Sequence, residues 1–137
     1  MVNKIRIFLA EDNPADVDLV REALREYEVE HELWLAADGQ EAKRFIERIG
    51  TGPEWPCPDL IMLDLNLPLV SGHELIALFR QHKHCVRTPI IVVTSSDSRS
   101  DRDKSAAFWA WYFRKPSELG EFLELGAVVR EAAGARR

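Results

Sequence analysis

Short apolar runs alternate along the chain with stretches whose apolar residues recur every three or four positions. The first run, 4-KIRIFLA-10, gives way to a segment with Val17, Val20, Leu24 and Tyr27 on one helical face. Asp18, Arg21, Glu22 and Arg25 fall on the other face, as an amphipathic helix requires. Asn13 and Pro14 suit its start, a capping side chain and then a ring that fits the first turn. A second run, 32-ELWLAA-37, precedes a helix with Ala42, Phe45, Ile46 and Ile49 at i, i+3, i+4 and i+7. Gly50 stops that helix before the Pro-rich loop 51-TGPEWPCP-58. The third run lies in 59-DLIMLDLNLP-68, and Leu75, Leu78 and Phe79 mark the inner face of the helix beyond it. The fourth, 90-IIVV-93, sits between Pro89 and the polar 94-TSSDSRSD-101. The last, 111-WYFR-114, leads through Pro116 and Ser117 into a helix expected to reach about Ala133.

Strands alternating with long helices predict an α/β fold, a five-stranded parallel sheet with helices on both faces. The unbroken apolar character of 60–63 and 90–93 marks the central strands. In such sheets ligands bind outside the carboxyl ends of the strands. Glu11 and Asp12 follow the first strand, Asp64 the third, Thr94 and Ser95 the fourth, and Lys115 and Pro116 the fifth. Asp64 ends an otherwise apolar run, where an ionised side chain must find a partner in a crevice. Three acids, a hydroxyl and an ammonium are thus expected on one rim.

Carboxylates crowded together repel, and without compensation one takes up a proton. A hard divalent cation such as Mg²⁺ removes that conflict through oxygen ligands. Glu11, Asp12 and Asp64 are the expected metal ligands, with the backbone carbonyl of Asn66 turned back toward the ion. A metal-bound carboxylate beside Lys115 and Thr94 suits phosphoryl transfer, which rests on positioning and charge neutralisation. Asp64 would be the nucleophile.

Composition narrows the class. The chain has 137 residues, 46% of them hydrophobic, which suits a single domain over 1–137 with a proper core. Its formal net charge of −5 argues against a nucleic-acid surface, and the one basic cluster is Arg136–Arg137 at the tail. Met1 leads almost directly into a strand-like segment, so no signal peptide is expected, and no apolar run approaches a membrane span. Cys57 and Cys85 share no CxxC or metal-ligand spacing and are expected to be free thiols in a reducing, cytoplasmic setting.

The rim residues carry a resemblance. The segments 11-EDN-13, 64-DLNLP-68 with Gly72 eight residues after the acid, 94-TSS-96 and 115-KP-116 resemble those of response regulator receiver domains. Thr94 stands thirty residues after Asp64, and Tyr112, three before Lys115, matches the family's switch aromatic. The resemblance spans essentially the whole length, so no effector domain is expected, and it implies a flavodoxin-like doubly wound fold. It also implies a two-component phosphorelay: a sensor histidine kinase phosphorylates Asp64 in a Mg²⁺-dependent reaction that the receiver helps catalyse. Thr94 is then drawn toward the phosphate, Tyr112 turns inward, and a protein-binding face changes; slow autodephosphorylation resets it. The phrases DNPAD and YFRKPSEL are most similar to single-domain receivers paired with phytochrome-like or hybrid kinases, acting on a downstream protein the sequence does not name.

Other readings fit less well. A receiver-like scaffold that is never phosphorylated should lack an acid, the Thr or the Lys, and none is missing. A flavodoxin-like electron carrier needs a hydroxyl- and Gly-rich loop where this chain has acidic 11-EDNPAD-16. An aspartyl phosphatase usually has an acid two residues past the nucleophile, here Asn66. His82 and His84 flank Lys83 at an exposed helix end, His73 is expected to be solvated, and His31 carries no signal. In 108-FWAW-111, Phe108 and Trp109 stand where the family usually has small residues; they fill the core or form a partner-facing aromatic patch. The last helix shows two apolar stripes, Leu119, Phe122, Leu123, Gly126 and Leu125, Val128, Ala132, more than one sheet contact needs. A homodimer or partner contact through the fourth helix, fifth strand and fifth helix is therefore expected.

Overall fold

The computed structural model describes residues 4–134, so the Arg136–Arg137 tail lies outside the described residues. Strands β1 (Ile5–Ala10), β2 (His31–Ala36), β3 (Leu60–Leu63), β4 (Ile90–Thr94) and β5 (Trp111–Arg114) form one sheet in the order β2-β1-β3-β4-β5. Neighbouring strands are all parallel. Helices α1 (Pro14–Glu26), α2 (Gly39–Arg48), α3 (Gly72–Gln81) and α4 (Arg99–Ala107) alternate with the strands, and α5 (Leu119–Leu123) and α6 (Leu125–Gly134) follow β5. Every residue of β3 and β4 is buried, as the unbroken apolar runs predicted. From β1 the chain moves outward to β2 and then crosses back to β3. The strand order therefore reverses between β1 and β3, where a crevice opens at the carboxyl ends. Asp12 and Asp64 flank that point.

Alternate strand residues feed two cores. Phe8, Ile61, Leu63, Ile90 and Val92 pack with Ala42 and Ile46 of α2 and Leu75, Ile76 and Phe79 of α3. Ile7, Leu9, Leu60, Met62, Ile91 and Val93 pack on the opposite face with Val20, Ala23 and Leu24 of α1, Phe122 of α5 and Val129 of α6. Asn13 caps α1 by accepting the Ala15 N–H at 2.9 Å, with Pro14 in the first turn. Helix α4 buries only Ser105, so hydrophobic contact holds it less firmly than the other helices.

Three expectations are corrected. Cys57 and Cys85 are not free thiols but form a disulfide, with Cα atoms 5.7 Å apart. They precede the adjacent strands β3 and β4, so the parallel pairing brings residues 28 apart in sequence to one rim. The last helix is two, α5 and α6, meeting at Glu124, whose backbone remains right-handed helical. Its two stripes do not survive as drawn: Phe122, Leu125, Val129 and Ala132 face the core, while Leu119 is 57% exposed. Gly126 is buried against α1, where a Cβ would lie 2.4 Å from the Ala23 carbonyl oxygen. Finally, the aromatic pair in 108-FWAW-111 divides. Phe108 packs against the α2–α3 core, whereas Trp109 is 78% exposed.

Trp109 also adopts a left-handed backbone, φ 58°, where the chain leaves α4 and its N–H bonds the Ala106 carbonyl. Glycine is the favoured residue at such a helix end, because a Cβ is strained there. Trp109→Gly should therefore raise unfolding free energy by about 1 kcal/mol, since little packing is lost from an exposed ring. Urea denaturation measures this. Reduction of the Cys57–Cys85 bridge should lower stability by about 3.6 kcal/mol, from the loop length it closes, and shift the same urea midpoint downward.

Candidate functional site

The rim brings the predicted residues together. One carboxylate oxygen each from Glu11, Asp12 and Asp64 lies within 4.8 Å of the others; Glu11 and Asp64 are buried and Asp12 is exposed. Asp64 follows the last residue of β3, and its N–H donates to the Ala10 carbonyl of β1, which fixes it across the crevice. Gly72 holds the following loop: its N–H donates to the Leu65 carbonyl at 3.0 Å. A Cβ on Gly72 would stand 2.5 Å from the Asp64 carbonyl oxygen. Only glycine lets α3 start so close beneath the acid. The Asn66 N–H donates to Asp64 Oδ1 at 3.0 Å.

Lys115 enters from the end of β5, its backbone N–H tied to the Thr94 carbonyl at 2.8 Å. Its Nζ lies 2.7 Å from Glu11, 2.8 Å from Asp16 and 2.9 Å from Asp64. Burial by itself would push the lysine pKa down, but the hydrogen bonds to Asp16, Glu11 and Asp64 outweigh it. The ammonium is thus held charged, well above its ordinary range. Glu11 shows the opposite balance: burial pushes its carboxyl above the usual 4.5, against the pull of Lys115 and with the repulsion of Asp64. A buried acid so raised gains from a second cation beside it.

Thr94 is fully buried at the end of β4, and its hydroxyl oxygen accepts the Ser96 N–H at 3.3 Å. The Tyr112 hydroxyl donates to the Ser96 carbonyl at 2.8 Å, so this ring already reaches the loop after β4. The Arg102 guanidinium sits 4.4 Å from the Tyr112 ring centroid and also pairs with Asp97 at 2.7 Å. Phosphate-sensing and switch candidates are therefore joined through one short loop.

A family model for the response regulator receiver domain matches residues 7–125. The chain belongs to the response regulator receiver family. It is 40% identical over 95 residues to the response regulator Rcp1 of Synechocystis sp., covering 69% of this chain and 65% of Rcp1. The chain thus spans just under two thirds of that relative's length. The phosphorylated cyanobacterial phytochrome response regulator RcpA superposes with a TM-score of 0.83 at 33% identity, covering 94% of this chain and 93% of that one. The receiver domain of sensor histidine kinase PA1611 from Pseudomonas aeruginosa, which holds a magnesium ion in its active-site cleft, superposes with a TM-score of 0.74 at 27% identity. That match covers 96% of this chain and 99% of the other.

The receiver's donor set fits a hard divalent cation. Three carboxylates converge, two of them buried, and no sulfur or imidazole competes among the described residues. Glu11 and Asp12 open on a depression of about 270 Å³ that Val17, Asp18, Arg21 and Ala37 also line. A larger hollow of about 510 Å³ beside Trp34, Phe45 and Trp55 lies away from this chemistry. No described helix is long and apolar enough to cross a membrane.

Several participants escaped the sequence reading. Asp16 stands in 11-EDNPAD-16 as an ordinary first-turn acid of α1, and no spacing in the sequence marks it as a partner of Lys115. His73 is not solvated as expected; its Nε2 lies 2.8 Å from Asp101 Oδ1, linking α3 to α4. Ser96 Oγ donates to the other Asp101 oxygen at 2.5 Å, and the Asp101 N–H is capped by Ser98. Nothing in 94-TSSDSRSD-101 distinguishes these serines from solvated ones; only the tertiary pairing does. His82 turns its Nε2 toward the Ile49 carbonyl at 3.1 Å rather than toward a metal.

The Ser96 hydroxyl and then His73 hold the Asp101 carboxyl at about 2, below its usual 3.8. A depressed carboxyl contributes stability that is present above the unfolded value and lost as pH falls through the folded one. The Asp101 tie should therefore persist unchanged from neutral pH to about 4 and disappear near 2. Carbon-detected NMR titration should find that midpoint, and Ser96→Ala should move it back toward 3.8.

Proposed function

We propose that this receiver is a phosphorelay switch in which Asp64 accepts a phosphoryl group from a phosphohistidine on a sensor histidine kinase. The observation that carries this is the Lys115 ammonium, 2.9 Å from Asp64 Oδ2 inside a cluster of further carboxylates. An Asp64 carboxylate oxygen attacks phosphorus, the bond from phosphorus to the imidazole nitrogen breaks, and the nitrogen keeps the electron pair. No separate base is needed to activate a carboxylate. One Lys115 N–H and the Thr94 hydroxyl neutralise and orient the phosphoryl oxygens. Glu11, Asp12 and Asp64, with the Asn66 backbone carbonyl, are the residues that would hold magnesium, which supplies further charge neutralisation when bound. Reset is hydrolysis: water attacks phosphorus, the bond to Asp64 breaks, inorganic phosphate leaves and the carboxylate is restored.

The switch follows from the loop after β4. Once Asp64 carries phosphate, the Thr94 hydroxyl turns to a phosphoryl oxygen and Ser96, whose N–H it accepts, moves with it. Tyr112 is bonded to the same residue, so the change reaches the surface of α4 and β5. A new charge thereby biases a lightly packed element, the condition for a population shift. The surface of α4, β5 and α5 is the proposed contact for a downstream protein or a second copy. The 33% identity to a phytochrome response regulator supports a phytochrome-like or hybrid kinase as the phosphodonor. This reading sets the protein in the cytoplasm, where the Cys57–Cys85 bridge would stand against a reducing thiol pool.

Intact-mass spectrometry after incubation with Mg²⁺ and acetyl phosphate tests the chemistry. Wild type should gain one phosphoryl group and Asp64→Asn none. Equal gain in both would move the acceptor to another residue.

A further inference from the structure

We infer that Asp16 is a positioning residue for phosphoryl transfer, aiming the Lys115 ammonium at the acceptor; the inference rests on the phosphoacceptor reading of Asp64. An ammonium has three N–H donors and no acceptor. In this structure Nζ has three carboxylate partners: Glu11 at 2.7 Å, Asp16 at 2.8 Å and Asp64 at 2.9 Å. Only Asp64 is the reacting group. Glu11 and Asp16 approach from the end of β1 and the first turn of α1, whereas Asp64 approaches from the end of β3. Two fixed carboxylates therefore occupy two donors and leave the third directed at Asp64.

Glu11 alone cannot do this, because one hydrogen bond leaves the ammonium free to rotate about it. A lysine stem carries several rotatable bonds, and its point charge has no fork of its own to set direction. Asp16 supplies the second anchor from a rigid element: α1 is capped by Asn13 and packed through Val20, Ala23 and Leu24. The Asp16 side chain keeps only 20% of its exposure and Lys115 11%, so the contact is not a solvated surface pair. Asp18, two residues on, is exposed and serves as the internal contrast. When Asp64 becomes an acyl phosphate, the donor it held is the one that passes to a phosphoryl oxygen, while Glu11 and Asp16 keep theirs.

A hydrogen-bond anchor and a mere negative charge make different predictions, because asparagine retains an acceptor oxygen without the charge. Phosphorylation by acetyl phosphate at saturating Mg²⁺, followed by intact mass, should be about tenfold slower in Asp16→Ala, less than the roughly hundredfold that a 1 Å misplacement of a reacting group costs. Asp16→Asn should recover to within about threefold of wild type, and titration calorimetry should find Mg²⁺ affinity within about threefold in all variants. Asp16→Val, which also lacks an acceptor, should match Asp16→Ala, and thermal melts confirm that each is folded. Wild-type rates in Asp16→Ala and Asp16→Val would overturn the assignment. So would an Asp16→Asn as slow as Asp16→Ala, which makes charge the cause, or a loss of Mg²⁺ affinity that accounts for the slowing. A wild type that takes up no phosphoryl group fails the phosphoacceptor reading itself, a result distinct from these.

Discussion

Four carboxylates, Glu11, Asp12, Asp16 and Asp64, gather at one rim of the sheet around one ammonium. Two unit charges about 5 Å apart repel by about 3 kcal/mol at an effective dielectric near 20, so this arrangement opposes folding unless something compensates. Lys115 is the compensation built into the chain. It is shared among three acids, which fixes the end of β5 against the ends of β1 and β3 and the start of α1. The remaining excess of negative charge is what makes the rim receptive to a divalent cation, and burial, which pushes the Glu11 carboxyl up, adds to what such a cation would relieve.

The fold places this cluster where backbone geometry leaves room for it. Strand order reverses between β1 and β3, so the loops leaving those strands diverge and open a crevice. Glycine at position 72 then allows α3 to begin directly under the Asp64 carbonyl. Rigid packing lies below, with β3 and β4 buried along their whole length. Above it the structure is looser: α4 buries a single serine and is tied to the rest through the Asp101 carboxylate, which meets His73 of α3 and Ser96 of the loop after β4. The proposed switch, sensing one added group and reporting it elsewhere, would be served by this contrast between a fixed floor and a lightly held helix.

Polar ties also connect the loop after β4 to its surroundings. Thr94, Ser96, Tyr112, Asp101 and His73 form a chain of hydrogen bonds from the buried end of β4 to the outer helices α3 and α4. Displacing Thr94 must disturb Ser96, and Ser96 is bonded to both Asp101 and Tyr112. Trp109 stands apart from this chain, exposed and in a strained backbone at the other end of the α4–β5 connection. It is the one large apolar residue there that the core does not claim.

Period and punctuation in the sequence determined the five strands, the central place of 60–63 and 90–93, and the helix start at Asn13–Pro14. They also placed Glu11, Asp12, Asp64, Thr94 and Lys115 at strand ends, because apolar runs that stop at polar residues must expose those residues there. The tertiary structure alone decided the rest. Asp16, Ser96, Asp101 and His73 look like ordinary solvated residues in sequence, and their partners are set by how α1, α3 and α4 dock. The Cys57–Cys85 pairing and the split of the last helix were likewise invisible, since neither leaves a local periodic signal. Local pattern reports which face a residue turns; contacts between residues far apart in the chain exist only once the sheet has aligned the loops that carry them.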